Sequence, residues 1–192
     1  MFKLSAIAVL ALAAVASASL DCKPYGSQQE LSALGEHGVK HFAFDGGKLK
    51  EGDKGEKLQF YECKAPKLFK GTSKNAVFGQ LRSTSEKNKC VTSGNYFVTA
   101  PGPIDDPSFK SLPKGASPAV TLQDCAESGD KLRQQWFGLT SLKKGCKPIY
   151  FAGEEEDVAA PTLGSRNGGV SFSPMSDEGP SSVAMFSAAD SC

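Results

Sequence analysis

Short runs of alternating apolar and polar residues are the feature that most restricts the fold of this chain. Three of these runs resemble one another, LQFYEC at 58–63, VTLQDC at 120–125 and VSFSPM at 170–175. A period of two places successive side chains on opposite faces of a β-strand. Glycine, proline, asparagine and aspartate separate the runs, and no stretch after residue 18 keeps the 3.6-residue apolar period of a helix. The sequence therefore predicts an all-β fold.

Each of the three runs is followed by a polar linker and a small block containing phenylalanine, NAVFG at 75–79, QQWFG at 134–138 and VAMFS at 183–187. A spacing of 59 and 49 residues between these phenylalanines predicts a repeated supersecondary element. We expect the apolar members of the runs to face a shared core, with three equivalent phenylalanines: Leu58, Phe60, Val120, Leu122, Val170, Phe172, then Phe78, Phe137 and Phe186. The intervening side chains should face outward: Gln59, Tyr61, Thr121, Gln123, Ser171 and Ser173.

Residues 1–18 have the pattern of a secretory signal peptide. Lys3 precedes an apolar run at 7–15, and Ala-Ser-Ala at 16–18 fits a small-residue cleavage site. The apolar run is too short to span a membrane, which takes about 20 residues. We therefore expect a secreted protein whose residues 19–192 form a single domain. The six cysteines all lie in this part, and an exported chain uses an even number of cysteines for disulfides.

Charge and motifs argue against several classes of function. Without Lys3, the basic residues fall from 22 to the same number as the 21 acidic residues, so no net field favours nucleic acid or a membrane surface. Neither a Gly-x-Ser-x-Gly elbow nor a glycine-rich phosphate loop is present. His37 and His41 have the spacing of helical metal ligands, but Gly35 and Gly38 indicate loop and strand there. The sequence predicts no enzymatic activity, no cofactor and no metal.

A strand ending in cysteine, a polar turn and then Gln-x-Trp resembles the ricin-B-type β-trefoil, the R-type lectin fold. The second unit carries the resemblance best, since Gln134 and Trp136 fit Gln-x-Trp and Cys90 with Cys125 fits the disulfide within a repeat. The resemblance implies about twelve short strands in three pseudo-repeats, at about 23–81, 82–140 and 141–192, in a disulfide-stabilised monomer. It also implies a buried Trp136, a structural backbone hydrogen bond from Gln134, and the further disulfides Cys22–Cys63 and Cys146–Cys192.

The same resemblance implies one partly preserved sugar site, in the first unit. Tyr61 occupies the position of the aromatic platform and Gln59 that of its polar neighbour, and a flat apolar face with a few polar groups suits a sugar. Asp45 and Asn75 lie close to the two remaining polar positions of the family, which hold Phe42 and Lys74 in this chain. Tyr61 has an alternative interpretation as an ordinary outward strand tyrosine.

These observations predict a secreted, non-enzymatic, lectin-like protein that binds glycans weakly. The alternative is a protein-binding effector or protease inhibitor that acts on a secreted protein partner through residues 101–118. That segment contains five prolines, and a stiffened exposed loop loses less entropy when it docks.

Overall fold

The computed structural model describes residues 20–35, 38–64, 76–94, 119–140, 147–151, 162–166, 169–173 and 183–187. The all-β prediction is confirmed, because these residues form strands and one short helix. In chain order the elements are β1 (Cys22–Gly35), β2 (Gly38–Asp45), β3 (Lys48–Gly52), β4 (Lys57–Cys63), β5 (Ala76–Ser83), β6 (Lys89–Thr92), β7 (Thr121–Asp124), α1 (Gly129–Gln134), β8 (Phe137–Thr140), β9 (Lys147–Phe151), β10 (Thr162–Arg166), β11 (Gly169–Ser173) and β12 (Val183–Ser187).

The strands form a closed antiparallel barrel. Pairing runs from β1 through β2, β3, β7, β6, β5 and β4 and returns to β1, which closes a ring of seven strands. From β5 the sheet also continues through β8, β9 and β12 to β1, and the β10–β11 hairpin joins β12. Closure of a sheet into a barrel removes its free edge strands, which could otherwise pair with other chains.

The predicted β-trefoil is wrong and is corrected to this antiparallel barrel, because the three predicted units are not equivalent. Strand β1 is 14 residues long and pairs with β2, β4 and β12. Helix α1 follows β7, whereas only residues 53–56, which contain no helix, separate β3 from β4. The physical reason is that alternation determines which side chains face inward but not which strands become neighbours.

The predicted inward strand residues are confirmed. Leu58, Phe60 and Val120 are fully buried, and Leu122, Val170 and Phe172 also belong to the main core cluster. Burial of each large apolar side chain contributes roughly 1.5–3 kcal/mol. Two expectations fail: Ser171 is buried instead of facing outward, and Phe78 is only half-buried, whereas Phe137 and Phe186 are in the core. Phe78 packs against a second cluster, formed by Cys63, Leu132 and the fully buried Trp136.

Two disulfides fasten the barrel. Cys22–Cys63 joins the start of β1 to the end of β4, and Cys90–Cys125 joins β6 to the residue that follows β7. Both pairs are those implied by the resemblance, while Cys146 and Cys192 lie outside the described residues. Disulfides are compatible with an extracellular location. No helix in the described ranges has the length and apolar character needed to cross a membrane.

The turn between β2 and β3 depends on two glycines. Asp45 pairs with Lys48, so Gly46 and Gly47 form a two-residue hairpin loop, with φ of 58° and 74°. Two successive positive φ angles define the type I′ turn, whose twist matches that of the flanking strands. An L-residue with a side chain pays roughly 1–2 kcal/mol to adopt this conformation.

We therefore expect Gly46→Ala to lower the free energy of unfolding by about 1 kcal/mol, measured by urea denaturation. Gly52→Ala is the matched control, because an added Cβ there would lie 3.8 Å from the nearest atom, the carbonyl oxygen of Lys54, and the φ of Gly52 is not positive. Equal unfolding free energies for the two variants would show that the turn does not depend on the left-handed conformation.

Candidate functional site

The ring of Tyr61 is not a free platform for a sugar. The guanidinium carbon of Arg82 lies 4.2 Å from the ring centroid, so one face of the ring is covered by a cation–π contact. Tyr61 on β4 pairs with Gln80 on β5, and Arg82 is two residues further along β5 on the same face. The register of β4 and β5 therefore places the ring of Tyr61 against the guanidinium of Arg82, which it supports.

Of the other residues of the predicted sugar site, Gln59 lies beside Tyr61 on the same face of β4 with its amide already bonded, whereas Asp45 lies elsewhere. The Nε2 atom of Gln59 donates to the carbonyl oxygens of Tyr25 and Phe60, each at 3.0 Å, so this amide holds the β1–β4 pairing. Asp45 lies at the β2–β3 turn, separated from β4 by β1, and forms an ion pair with Lys50 at 2.6 Å. The hydrogen bond from Lys50, and then its charge, hold the pKa of Asp45 below its usual range. Asn75 lies outside the described residues.

A different site lies beside the Cys90–Cys125 disulfide. It is a pocket of about 450 Å³, here named the Arg82 pocket, and it is lined by Leu20, Gln80, Arg82, Asn88, Asp124, Cys125, Ala126 and Glu127. Its volume lies within the usual range for small-molecule sites, and five of its lining side chains are polar or charged. Its walls come from β5, the β5–β6 turn, the end of β7 with the segment that follows it, and Leu20 before β1.

The Arg82 side chain is half-buried in the wall of this pocket. Within the described residues its one hydrogen bond runs from Nη2 to the Oε1 atom of Gln80, at 3.0 Å, and its buried Nε atom has no partner. Burial lowers the pKa of the Arg82 guanidinium, while electrostatic interactions with Tyr61 and Glu127 act in the opposite direction. Arginine stays protonated under such shifts, so the wall of the pocket contains a partly desolvated cation.

The two carboxylates of the pocket are both exposed but differ in their partners. Asp124 lies 3.0 Å from the Nζ atom of Lys89, and the hydrogen bond and charge of Lys89, with a smaller effect of Lys131, lower the pKa of Asp124. Glu127 forms no ion pair within the part of the chain that the structure describes and acts on Arg82 through space. Asp124 therefore presents ionised acceptor oxygens at neutral pH, and Glu127 adds a second exposed carboxyl group to the pocket.

A buried glutamine network fixes the pocket wall. The Oε1 atom of Gln135 accepts from the backbone N–H of Ala126 at 2.7 Å, and its Nε2 atom donates to Thr92 Oγ1 and to the carbonyl oxygen of Asp124, at 2.8 and 3.1 Å. Gln80 reinforces the same segment by donating to the carbonyl oxygen of Ala126 at 2.8 Å. Both glutamines are buried, so their amides are held by these bonds.

The resemblance assigned this structural role to the neighbouring residue. Gln134 is half-buried at the last position of α1, whereas Gln135 is fully buried and makes the network. The carbonyl oxygen of Gln134 accepts from the backbone N–H of Ser93 at 2.9 Å, and the structural role expected of the Gln134 side chain stays a prediction, while the buried network belongs to Gln135. The prediction that Trp136 is buried is confirmed. The sequence signal for Gln135 is its position directly before Trp136, but the Gln-x-Trp motif indicates the preceding residue, Gln134.

Metal binding has no support among the described side chains. They contain no group of three or more histidine, cysteine, aspartate or glutamate residues placed to hold an ion. The Nδ1 atom of His41 lies 3.3 Å from a carboxylate oxygen of Glu30, so His41 has an acidic neighbour within the sheet. His37, the other candidate ligand, lies outside the described residues.

The loop of the alternative hypothesis, residues 101–118, also lies outside the described residues. The Arg82 pocket is thus the candidate site that the described part of the chain provides. No family model, no curated protein and no solved structure matches this chain.

Proposed function

We propose that this chain is a secreted, non-enzymatic glycan-binding protein whose sugar site is the Arg82 pocket. The observation that carries the proposal is the lining: a guanidinium, two amides and two carboxylates surround about 450 Å³. A sugar offers several hydroxyl groups on a small apolar frame, and each hydroxyl both donates and accepts a hydrogen bond. A pocket rich in fixed donors and acceptors has the matching chemistry.

The rigidity of the pocket supports binding of a small polar ligand. Gln80 and Gln135 hold residues 124–126 through three hydrogen bonds, a fourth joins Gln135 to Thr92, and the Cys90–Cys125 disulfide joins the segment to β6. The ring of Tyr61 contacts the guanidinium of Arg82 and helps to hold it in place. Polar groups that are already in place lose little conformational entropy on binding, which raises the affinity that a few hydrogen bonds can give.

The electrostatics favour binding over hydrolysis. Glycoside hydrolysis uses one carboxyl group whose pKa is raised, so that it can donate a proton near neutral pH. In the Arg82 pocket, Lys89 lowers the pKa of Asp124, so this carboxylate stays ionised and serves as an acceptor. This supports a protein that holds a sugar without cleaving it.

The test is a glycan array probed with the oxidised protein and two pocket variants, followed by calorimetry on any sugar that binds. Glu127→Ala removes an exposed acceptor, and Asn88→Gly removes an amide while keeping the left-handed backbone of that residue, whose φ is 62°. We expect each variant to bind about 10-fold more weakly, because a hydrogen bond to a charged or well-placed group contributes roughly 1–2 kcal/mol.

Asp45→Asn is the matched control, because Asp45 is an exposed acidic residue of the sugar site that the resemblance implies and lies away from the pocket. It should bind like the unmodified protein. Loss of binding in Asp45→Asn with full binding in both pocket variants would move the site to the β2–β3 turn. No binding to any sugar by the unmodified protein would refute the proposed function.

A further inference from the structure

Arg82 is a cation without a close counterion. It forms no ion pair with a described carboxylate, and its Nη2 atom bonds to the neutral amide of Gln80. Its Nε atom is buried and has no hydrogen-bond partner in the described residues. Arginine side chains that leave water normally pair with a carboxylate or a phosphate, because desolvation of an uncompensated charge is costly.

The other charges of the pocket do not supply that counterion. Asp124 is engaged by Lys89 at 3.0 Å, and the Asp124 side chain is 80% exposed. Glu127 is exposed and influences Arg82 only through space. The pocket therefore contains one half-buried positive charge whose nearby acidic groups are in water or already paired.

The geometry of Arg82 also restricts the direction from which an anion can approach. The ring of Tyr61 lies 4.2 Å from the guanidinium carbon and covers one face of the planar group. Gln80 occupies one of its N–H donors. Because Nε is buried, the donors left for a ligand are those of Nη1 and the second N–H of Nη2, and this pair can form two parallel hydrogen bonds with a carboxylate.

We infer that the ligand of the Arg82 pocket carries a carboxylate, so that the glycan it takes is acidic, of the uronic-acid class. This inference rests on the proposed function and narrows it. The sugar hydroxyls meet Asn88, Asp124 and Glu127, while the carboxylate of the same sugar meets the edge of Arg82. Tyr61 then acts as a positioning residue that holds the guanidinium and does not touch the sugar.

The experiment compares two oligosaccharides that differ only in charge, an oligogalacturonate and its fully methyl-esterified form, by calorimetry on the full oxidised protein. We expect the acidic form to bind at least about 10-fold more tightly, because hydrogen bonds between ions are about twice as strong as neutral ones. Arg82→Gln should abolish this difference, so that the acidic form binds no more tightly than the ester.

Lys57→Gln is the matched control, since Lys57 is an exposed cation on the neighbouring strand β4 and does not line the pocket. It should keep the preference for the acidic form. A circular dichroism melt of each variant establishes that it is folded. Should Arg82→Gln not fold, two variants of Tyr61 give the second comparison. Tyr61→Phe keeps the ring against Arg82 and should keep the preference for the acidic form. Tyr61→Leu removes the ring and should reduce that preference.

The outcomes separate the inference from the proposed function. Equal binding of the acid and the ester, or a preference that persists in Arg82→Gln, overturns the inference and leaves the glycan site standing. Failure of both oligosaccharides and of every other glycan overturns both. Acetate is the third arm: binding of acetate as tight as that of the oligogalacturonate supports the carboxylate contact but refutes a glycan site, whereas weak or absent binding of acetate supports an acidic sugar.

Discussion

Replacing Gly79 with alanine is expected to lower the free energy of unfolding by more than about 3 kcal/mol, the upper part of the range for overpacking. Gly79 lies on β5, opposite Glu62 on β4 and Phe137 on β8. A Cβ atom at this position would overlap the carbonyl oxygen of Tyr61 and would lie 2.9 Å from its carbonyl carbon and 3.0 Å from the backbone nitrogen of Cys63. All three atoms belong to the backbone of β4, so no side-chain rotation relieves the overlap, and β4 and β5 must move apart.

The measurement is urea denaturation of the oxidised protein, followed by fluorescence of Trp136, the only tryptophan of the chain. Gly52→Ala serves again as the control and should unfold within about 0.5 kcal/mol of the unmodified protein, as substitutions away from packed sites do. A loss below about 1 kcal/mol for Gly79→Ala would mean that β4 and β5 do not approach as closely as the barrel requires.

Replacing Gln135 with alanine is expected to cost about 3 kcal/mol of stability, and Gln134→Ala less than about 1 kcal/mol. Gln135 satisfies the backbone N–H of Ala126, the hydroxyl of Thr92 and the carbonyl oxygen of Asp124. A buried polar group left without its partner costs roughly 1–3 kcal/mol, and several lose their partner together in this variant. Gln134 is half-buried at the end of α1 and has no comparable network among the described contacts.

The two variants are compared by the same denaturation, with glycan binding measured below the transition. Gln135→Ala should also weaken binding, because residues 124–126 form part of the Arg82 pocket. If Gln134→Ala proved the more destabilising of the two, the structural role would belong to Gln134, as the Gln-x-Trp spacing indicates. The hydrogen bonds of Gln135 would then not stabilise the fold as described.

The sequence was sufficient for the parts of the fold that depend on local alternation. Leu58, Phe60, Val120 and Leu122 are buried because a period of two puts them on the core face whatever strands lie beside them. Strand partners are a separate matter, since they depend on contacts between distant segments. Ser171 illustrates the limit: it occupies an outward position of its run and is nevertheless buried, because the chain around it covers both faces.

The candidate site was harder to predict from the sequence, because it too depends on contacts between distant segments. Alternation places Tyr61 at an outward position of its strand, but only the β4–β5 register shows that Arg82 covers its ring. Asp124 and Glu127 precede a helix that the alternation gave no reason to expect, and Arg82 lies more than 40 residues away from them in the chain. A pocket assembled across such distances becomes visible once the strand pairing is known.

The most direct test of the account is a two-dimensional amide NMR titration of the isotope-labelled, oxidised protein with the oligogalacturonate. We predict that the signals that shift most belong to residues 80, 82, 88 and 124–127, which line the Arg82 pocket, and that those of residues 45–48 at the β2–β3 turn stay in place. Shifts centred on the turn, or no shifts at any concentration of the oligogalacturonate, would contradict an acidic-sugar site at Arg82.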